Sequence, residues 1–199
     1  MAGSAFLLLE DGTRFDGDSV GAPIAATGEV VFNTAMSGYQ ESVSDPSYRG
    51  QIIIFTYPLI GNYGVSAEAM ESSSVHARAV IMREGIDRED AAGAEGGWLT
   101  WLTDCGIPAL SGVDTRALVR HIRDRGAMRG GVFPGELAES EARALIEREP
   151  PMAGRDLACE VTPPEPVILD PDNPGPRIVA IDTGIKDSIV RNLRERGVR

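Results

Sequence analysis

Two cysteines and two histidines are the residues of this chain that could support covalent catalysis. They are Cys105, Cys159, His76 and His121. A thiolate beside an imidazole base could attack a carbonyl carbon, and such partners need not be sequence neighbours. Neither cysteine, however, lies in a G-x-C-x-G or G-x-S-x-G framework, which exposes a nucleophile between a strand and a helix. We therefore expect two buried, unreactive thiols and two histidines at the surface or the edge of the core rather than a Cys–His dyad, and we assign no catalytic residue.

Motifs for metal or nucleotide chemistry are missing from the sequence. Two cysteines without C-x-x-C spacing are too few for a zinc site or a disulfide framework, so we predict no metal ligands. The chain contains neither G-x-x-x-x-G-K-[ST] nor G-x-G-x-x-G, the phosphate-binding signatures of nucleotide-binding proteins. A weaker candidate is the turn Asp182-Thr-Gly184 with Lys186, which could hold an anion at a helix N-terminus. The simpler interpretation is a tight strand-to-helix turn.

A polar stretch between two predicted strands is the best candidate for ligand contact. It covers residues 34–50 and contains the turn Asp45-Pro-Ser-Tyr48. The proline presets one backbone angle, and Asp45 can accept a hydrogen bond from the backbone two residues further on. We expect the Ser47 hydroxyl and nearby backbone N–H groups to point outward together, which would suit a carboxylate. The alternative is an ordinary turn serine.

The charge of the chain limits its partners. The formal net charge of −11 repels phosphate backbones and anionic lipids, so we expect neither nucleic acid nor a membrane surface as partner. The first nine residues have no basic segment typical of a signal peptide, and the few cysteines fit the cytoplasm. One predicted helix carries Arg116, Arg120 and Arg123 on one face. That face is either solvated or a docking surface for an acidic partner.

Hydrophobic periodicity and turn signals predict a mixed α/β fold in two parts. Strands are predicted over residues 5–9, 14–20, 29–33, 51–57, 75–82 and 127–133, and helices over 97–104, 114–126 and 140–149. Residues 1–170 form the first domain, and the proline-rich residues 171–176 form a linker. Residues 177–199 open a second unit with a buried strand over 177–182 and a helix marked by Ile189 and Leu193. A parallel strand should follow Arg199, so we expect this unit to be incomplete.

Several long motifs resemble one protein family, the small chain of glutamine-hydrolysing carbamoyl phosphate synthetase. The resemblance extends over most of the chain. It is carried by Gly28-Glu-Val-Val-Phe-Asn-Thr-Ala-Met-Ser-Gly-Tyr-Gln-Glu41, Asp45-Pro-Ser-Tyr48, Thr56-Tyr-Pro-Leu-Ile-Gly-Asn62, Glu71-Ser-Ser-Ser-Val-His76, Gly112-Val-Asp-Thr-Arg-Ala-Leu-Val-Arg120, Arg125-Gly-Ala-Met128 and Ile178-Val-Ala-Ile-Asp182 with Gly184 and Lys186.

The resemblance implies an architecture and an activity. The family has an N-terminal domain of a β/β/α layered kind, followed by a flavodoxin-like α/β domain of the class I glutamine amidotransferase type. There a Cys–His–Glu triad splits glutamine, and ammonia passes to a large subunit that uses ATP, Mg²⁺ and bicarbonate to make carbamoyl phosphate for arginine and pyrimidine synthesis. No cofactor is expected in this chain itself.

The resemblance also assigns one site residue and limits the activity of the chain. In the family the serine equivalent to Ser47 helps to bind L-glutamine. The triad residues would lie beyond Arg199, so we expect these 199 residues alone to be inactive. The alternative is a non-catalytic docking or scaffold module for a large partner subunit.

Overall fold

A computed structural model describes residues 3–170 and 172–199 of the chain. Met1 and Ala2, at the start of the predicted first domain, lie outside the described residues. So does Pro171, the first residue of the predicted linker.

The described residues form nine β-strands and six α-helices. The strands are β1 (Gly3–Leu9), β2 (Arg14–Ser19), β3 (Ala26–Asn33), β4 (Gln51–Phe55), β5 (Leu59–Ile60), β6 (Ala79–Ile81), β7 (Glu84–Gly85), β8 (Ala109–Ser111) and β9 (Met128–Pro134). The helices are α1 (Tyr39–Ser44), α2 (Trp98–Asp104), α3 (Thr115–Arg125), α4 (Glu139–Arg148), α5 (Ala158–Val161) and α6 (Asp187–Glu195). The predicted mixed α/β class is confirmed.

Seven of these strands close into a barrel, in the order β1-β2-β8-β6-β4-β3-β9. Strands β3, β4, β6 and β8 run parallel to one another, whereas β1, β2 and β9 pair antiparallel with their neighbours. The tight turn after β1 uses Gly12 at φ 87°, as the Asp-Gly signal predicts. Because the four parallel strands share a direction, the loops that follow them gather at the same end of the barrel.

Strand β4 is apolar from Ile52 to Phe55 because both faces of this stretch are buried. Ile52 and Ile54 pack with Leu7 and other residues of the barrel interior. Ile53 and Phe55 point the other way and pack in a cluster with Trp98 of α2. Successive side chains of this strand point to opposite faces, and both faces are apolar, as is typical of parallel strands covered on both sides.

Helix α3 covers part of the barrel interior and has the ends that the sequence predicts. The side chain of Asp114 accepts a hydrogen bond from the Ala117 N–H at 3.0 Å, and Gly126 ends the helix at φ 94°. Leu118 and Ile122 point into the barrel core. The opposite outer face of β1 and β9 is covered by α4.

The predicted strand over residues 177–182 is wrong. This segment forms no strand, and Val179 and Ile181 are 86% and 90% exposed. A parallel strand is stable only between hydrogen-bonded neighbours, and the barrel strands do not reach this segment. The following amphipathic helix is confirmed as α6. The domain boundaries and the layered arrangement stay predictions.

Candidate functional site

The turn that carries Ser47 is a single 3-10 turn between α1 and β4, Pro46–Tyr48. One carboxylate oxygen of Asp45 accepts a hydrogen bond from the Ser47 N–H at 2.8 Å. The next two N–H groups are also used within the turn, by the carbonyl oxygens of Asp45 and Pro46. The expectation that backbone N–H groups point outward is therefore wrong, because the turn satisfies its own donors.

The Ser47 side chain remains available for a ligand. The residue is exposed, and within the described residues its hydroxyl forms no hydrogen bond. A hydroxyl can donate one hydrogen bond and accept others, so it can contact either a carboxylate or an amide. The turn therefore presents one polar group rather than a cluster.

Asp45 stabilises this turn through contacts of its buried side chain. The residue is buried, with 6% of its surface exposed. Its second carboxylate oxygen lies 3.2 Å from the ammonium of Lys186. This hydrogen bond to Asp45 raises the pKa of Lys186 above its ordinary value of 10.5. A buried carboxylate that both caps a turn and pairs with a cation fixes the turn strongly.

The other end of the turn is fixed to strand β3. The side-chain amide of Asn33 donates a hydrogen bond to the Tyr48 hydroxyl at 3.1 Å and to the Ser42 hydroxyl at 3.0 Å. The turn that presents Ser47 is thus held to the barrel on one side and to the segment before α6 on the other.

The polar stretch before the turn is more ordered than the sequence predicts. Residues 39–44 form α1, not loop, and Tyr39 stacks on Tyr63 with ring centroids 4.2 Å apart. The Tyr39 hydroxyl donates to the Gly64 carbonyl at 2.6 Å, and burial raises its pKa. The spacing of Tyr39 and Val43, both buried, is the helical signal that could have revealed α1.

The weaker candidate, an anion site at Asp182-Thr-Gly184, is not supported because the protein supplies its own carboxylates there. The side chain of Asp182 accepts hydrogen bonds from the N–H groups of Gly184 and Ile185 at 2.8 and 2.9 Å. Lys186 pairs with Asp45 rather than with an external anion. The simpler interpretation, a tight turn, is the one that the structure bears out.

The N-terminus of α6 is capped from a distant part of the chain. Glu71 is buried, its backbone carbonyl accepts from the Asp187 N–H, and its carboxylate accepts from the Ser188 N–H, each at 2.9 Å. A carboxylate at this end of a helix also interacts favourably with the helix dipole. Sequence reasoning missed Glu71, since the contact spans 117 positions.

Both thiols are exposed, so the prediction that they are buried is wrong. Cys159 lies on the short surface helix α5, where its thiol donates to the Asp156 carboxylate at 2.7 Å, and this contact raises its pKa. Burial of part of the side chain and the charge of Asp104 raise the pKa of Cys105. A raised pKa disfavours the thiolate, which is the nucleophilic form.

The histidines contact other residues, not the cysteines. The ring of His121 lies 2.7 Å from the Asp11 carboxylate, and the ring of His76 lies 3.0 Å from the Ser72 hydroxyl. Both are partly buried, as expected of histidines at the surface or the edge of the core. The described residues contain no hydrogen bond that would join either ring to a thiol.

Two features are absent from residues 3–170 and 172–199. No group of three or more His, Cys, Asp or Glu side chains is arranged so that it could hold a metal ion. No helix in the described ranges is long and apolar enough to cross a membrane.

Comparison with known proteins places the chain in a family. Residues 7–132 match the family model of the carbamoyl-phosphate synthase small chain, CPSase domain. The carbamoyl phosphate synthase small chain of Symbiobacterium thermophilum is 44% identical over 196 residues, covering 95% of this chain and 53% of that protein. The small chain of Thermotoga maritima is 40% identical over 199 residues, covering 100% of this chain and 50% of the relative.

A solved aminopeptidase from Aneurinibacillus sp. strain AM-1 also matches, with 18% identity, coverage of 67% of this chain and 31% of that chain, and a TM-score of 0.41, which is too low to support a shared fold. The chain spans about half the length of the curated relatives that it matches. The family model covers more than half of the chain, and the chain belongs to the carbamoyl-phosphate synthase small chain family.

Proposed function

We propose that this chain is part of the glutamine-hydrolysing small subunit of carbamoyl-phosphate synthase, a carbon–nitrogen ligase. The subunit supplies ammonia to a large subunit, its partner in a heterodimer. The large subunit uses ATP, Mg²⁺ and bicarbonate to make carbamoyl phosphate for arginine and pyrimidine biosynthesis. The observation that carries this proposal is the family match over residues 7–132, together with about 40% identity along the chain to small chains.

Within that activity, Ser47 contacts L-glutamine. Three features support this role: the exposed hydroxyl, its lack of a hydrogen-bond partner among the described residues, and a turn held by Asp45. The same salt bridge sets the turn beside the segment that leads into α6. A hydroxyl fixed in this way helps to orient a bound amide substrate before reaction.

Residues 1–170 form the first domain, of a β/β/α layered kind, 171–176 form a linker, and 177–199 begin a flavodoxin-like α/β domain. One detail supports the start of a parallel sheet. The Ile178 N–H donates to the Arg199 carbonyl at 2.8 Å, and the Arg199 N–H donates to the Pro176 carbonyl at 3.1 Å. Bonds from one residue to two flanking positions of its neighbour are the pattern of a parallel pair.

The polypeptide of these 199 residues does not hydrolyse glutamine by itself. Neither of its thiols is activated, since the pKa of each is raised and neither contacts a histidine within the described residues. The thiols are unpaired and exposed, which suits the reducing cytoplasm as the site of action. Glutamine hydrolysis by this polypeptide, lost on Cys105→Ser or Cys159→Ser, would overturn this part of the proposal.

The role of Ser47 is tested in a full-length subunit. Residues 1–199 are joined to the second half of the Thermotoga maritima small chain, and the fusion is combined with the large chain of that organism. We expect glutamine-dependent carbamoyl phosphate synthesis. Ser47→Ala should raise the KM for glutamine about 3- to 10-fold and change kcat little, because one hydrogen bond is lost from bound substrate.

The matched control is Ser140→Ala, an exposed serine on α4 whose hydroxyl makes no hydrogen bond in the described part of the chain. It should leave KM unchanged. Equal KM values for Ser47→Ala and the parent fusion would show that Ser47 does not contact glutamine. A fusion that binds the large chain but never hydrolyses glutamine would favour the alternative, a docking module without a catalytic role.

A further inference from the structure

A groove crosses the end of the barrel where the parallel strands have their carboxyl ends. Its volume is about 700 Å³. Its walls come from Pro58 beyond β4, from Arg83 just after β6, and from α3, which follows β8. Loops from several strands meet at this end of a parallel sheet, which is where such proteins commonly bind their ligands.

Four arginines line this groove: Arg83, Arg116, Arg120 and Arg123. Those of α3 have the spacing i, i+4 and i+7, so they share one face of the helix. Within the described residues, Arg123 pairs only with its sequence neighbour Asp124, at 2.9 Å. The other three form no ion pair or side-chain hydrogen bond with any described residue.

The absence of carboxylates from this groove is informative because the chain is acidic. It has 30 acidic residues against 19 lysines and arginines, and seven arginines elsewhere in the described part form salt bridges with Asp or Glu, as Arg129 does with Glu10 at 2.8 Å. A cluster of like charges without internal partners repels itself. Such a cluster gains most from an external partner that brings negative charge.

The shape of the groove favours a protein segment over a small phosphate compound. Arg116 and Arg123 are seven residues apart, so the stripe extends along roughly 10 Å of the helix instead of converging on one point. Val119 and Pro58 supply apolar surface between the charges. The N-terminus of α3 is closed to phosphate, since the Asp114 carboxylate already accepts from the Ala117 N–H.

We infer that this groove docks an acidic segment of a partner protein, whose carboxylates pair with Arg83, Arg116 and Arg120 while an apolar side chain packs on Val119. Arginine is suited to this task because its planar group binds carboxylates in pairs of hydrogen bonds. Under the proposed function the partner is the large subunit, and only this identification rests on the proposed function.

The first experiment uses this chain and a defined probe. A fluorescent peptide of alternating glutamate and leucine is titrated with the chain at about 50 mM and about 300 mM salt, because salt screens exposed charge pairs. A peptide with glutamine in place of glutamate is the uncharged comparison. We expect the acidic peptide to bind at least about tenfold more tightly at low salt than the glutamine peptide.

Charge-reversal variants locate the binding. Arg116→Glu with Arg120→Glu should weaken binding of the acidic peptide about tenfold or more. The matched control is Arg125→Glu with Arg148→Glu, which makes the same change in net charge at exposed arginines outside the groove; it should shift affinity less than about twofold. Circular dichroism checks the folding of each variant. If Arg116→Glu with Arg120→Glu unfolds, Arg116→Gln with Arg120→Gln is used in its place.

Three results would overturn the inference: no binding of the acidic peptide to the parent chain, equal losses of affinity in the groove and control variants, or displacement of the peptide by millimolar inorganic phosphate.

A second experiment, assembly of the fusion subunit with the large chain, identifies the partner. Arg116→Glu with Arg120→Glu could weaken binding of the peptide but leave assembly of the fusion subunit with the large chain unchanged. In that case the groove binds another acidic protein. If no assembly occurs even with the parent fusion, the proposed function fails while the docking groove stands.

Discussion

Lys186 lies 3.2 Å from Asp45, and this pair joins the turn that presents Ser47 to the segment that leads into α6. The two residues are 141 positions apart in the sequence, as their numbers give. Asp45 also accepts the Ser47 N–H, so one carboxylate fixes both the local turn and its distant neighbour. The geometry at Ser47 therefore depends on contacts from both ends of the chain.

Removal of the Asp45 side chain should destabilise the chain by about 1–3 kcal/mol, because Asp45→Ala leaves the Ser47 N–H and the Lys186 ammonium without their partner. Urea unfolding followed by circular dichroism measures this change. Asp18→Ala is the matched control, since Asp18 is exposed and takes part in no ion pair within the described residues. A difference of less than about 0.5 kcal/mol between the two variants would contradict the role given to Asp45.

His76 should make the fold sensitive to mild acid. Burial lowers its pKa below the ordinary value of 6.5, the charge of Arg49 lowers it further, and the charge of Asp45 opposes the shift. The unfolded chain therefore binds the proton more readily than the folded chain. The stabilising effect is complete above pH 6.5 and is lost as the pH falls through the pKa of the folded state.

The measurement for His76 is the free energy of unfolding between pH 7.5 and roughly pH 5, compared with His76→Gln, which cannot titrate. We expect the parent chain to lose more stability over this window than the variant. His121→Gln serves as comparison, because that ring lies beside Asp11 on another part of the barrel. Parallel pH profiles for the parent and His76→Gln would show that burial of His76 has no effect on stability.

Gly184 should not tolerate a side chain. It has φ 101°, and a methyl group there would lie 2.8 Å from Val161 and 3.0 Å from Pro46. Gly184→Ala should therefore destabilise the packing of residues 182–188 against Pro46 and Val161 by about 2–4 kcal/mol, from backbone strain and from overpacking together. Limited proteolysis of residues 177–199 reports this loosening.

Gly154→Ala separates the two effects at Gly184. Gly154 has φ 84°, but a methyl group there would meet nothing within 4 Å. This control should show the backbone cost alone, about 1 kcal/mol, without faster cleavage of the C-terminal segment. Equal behaviour of the two variants would mean that the close approach to Pro46 and Val161 contributes nothing.

The features that could be predicted from the sequence are those fixed by nearby residues. The Asp45–Ser47 turn, the Asp114 cap and the Gly126 end of α3 each depend on residues within a few positions. The predictions that were wrong concern features that depend on contacts between residues far apart in the sequence. Burial of Cys159 was mispredicted because Cys burial follows from packing, and this residue lies on a surface helix without a cover.

The candidate site shows the same division between local and distant contacts. Ser47 could be chosen from the turn that contains it, but the pairing of Lys186 with Asp45 and the cap that Glu71 forms on α6 could not. The Glu71–Ser188 contact joins two segments that carry no complementary sequence pattern. The barrel likewise depends on pairings between strands far apart in the sequence, such as β1 with β9.

Glu71 should control the order of α6. Its carbonyl and carboxylate accept from the first N–H groups of the helix, and α6 buries no residue of its own. Glu71→Ala removes the carboxylate partner of Ser188, so the helix loses about 1 kcal/mol of support at its N-terminus. Hydrogen exchange followed by mass spectrometry should then show about fivefold faster exchange over residues 187–195.

Glu68→Ala is the control for Glu71, because Glu68 is an exposed glutamate of the same connecting segment that does not contact α6. It should leave exchange of α6 at the parent rate. Residues 179–181 should exchange rapidly in all three proteins, since their side chains are exposed and they form no strand. Unchanged protection of α6 in Glu71→Ala would mean that the carboxylate of Glu71 does not contribute to the order of the helix.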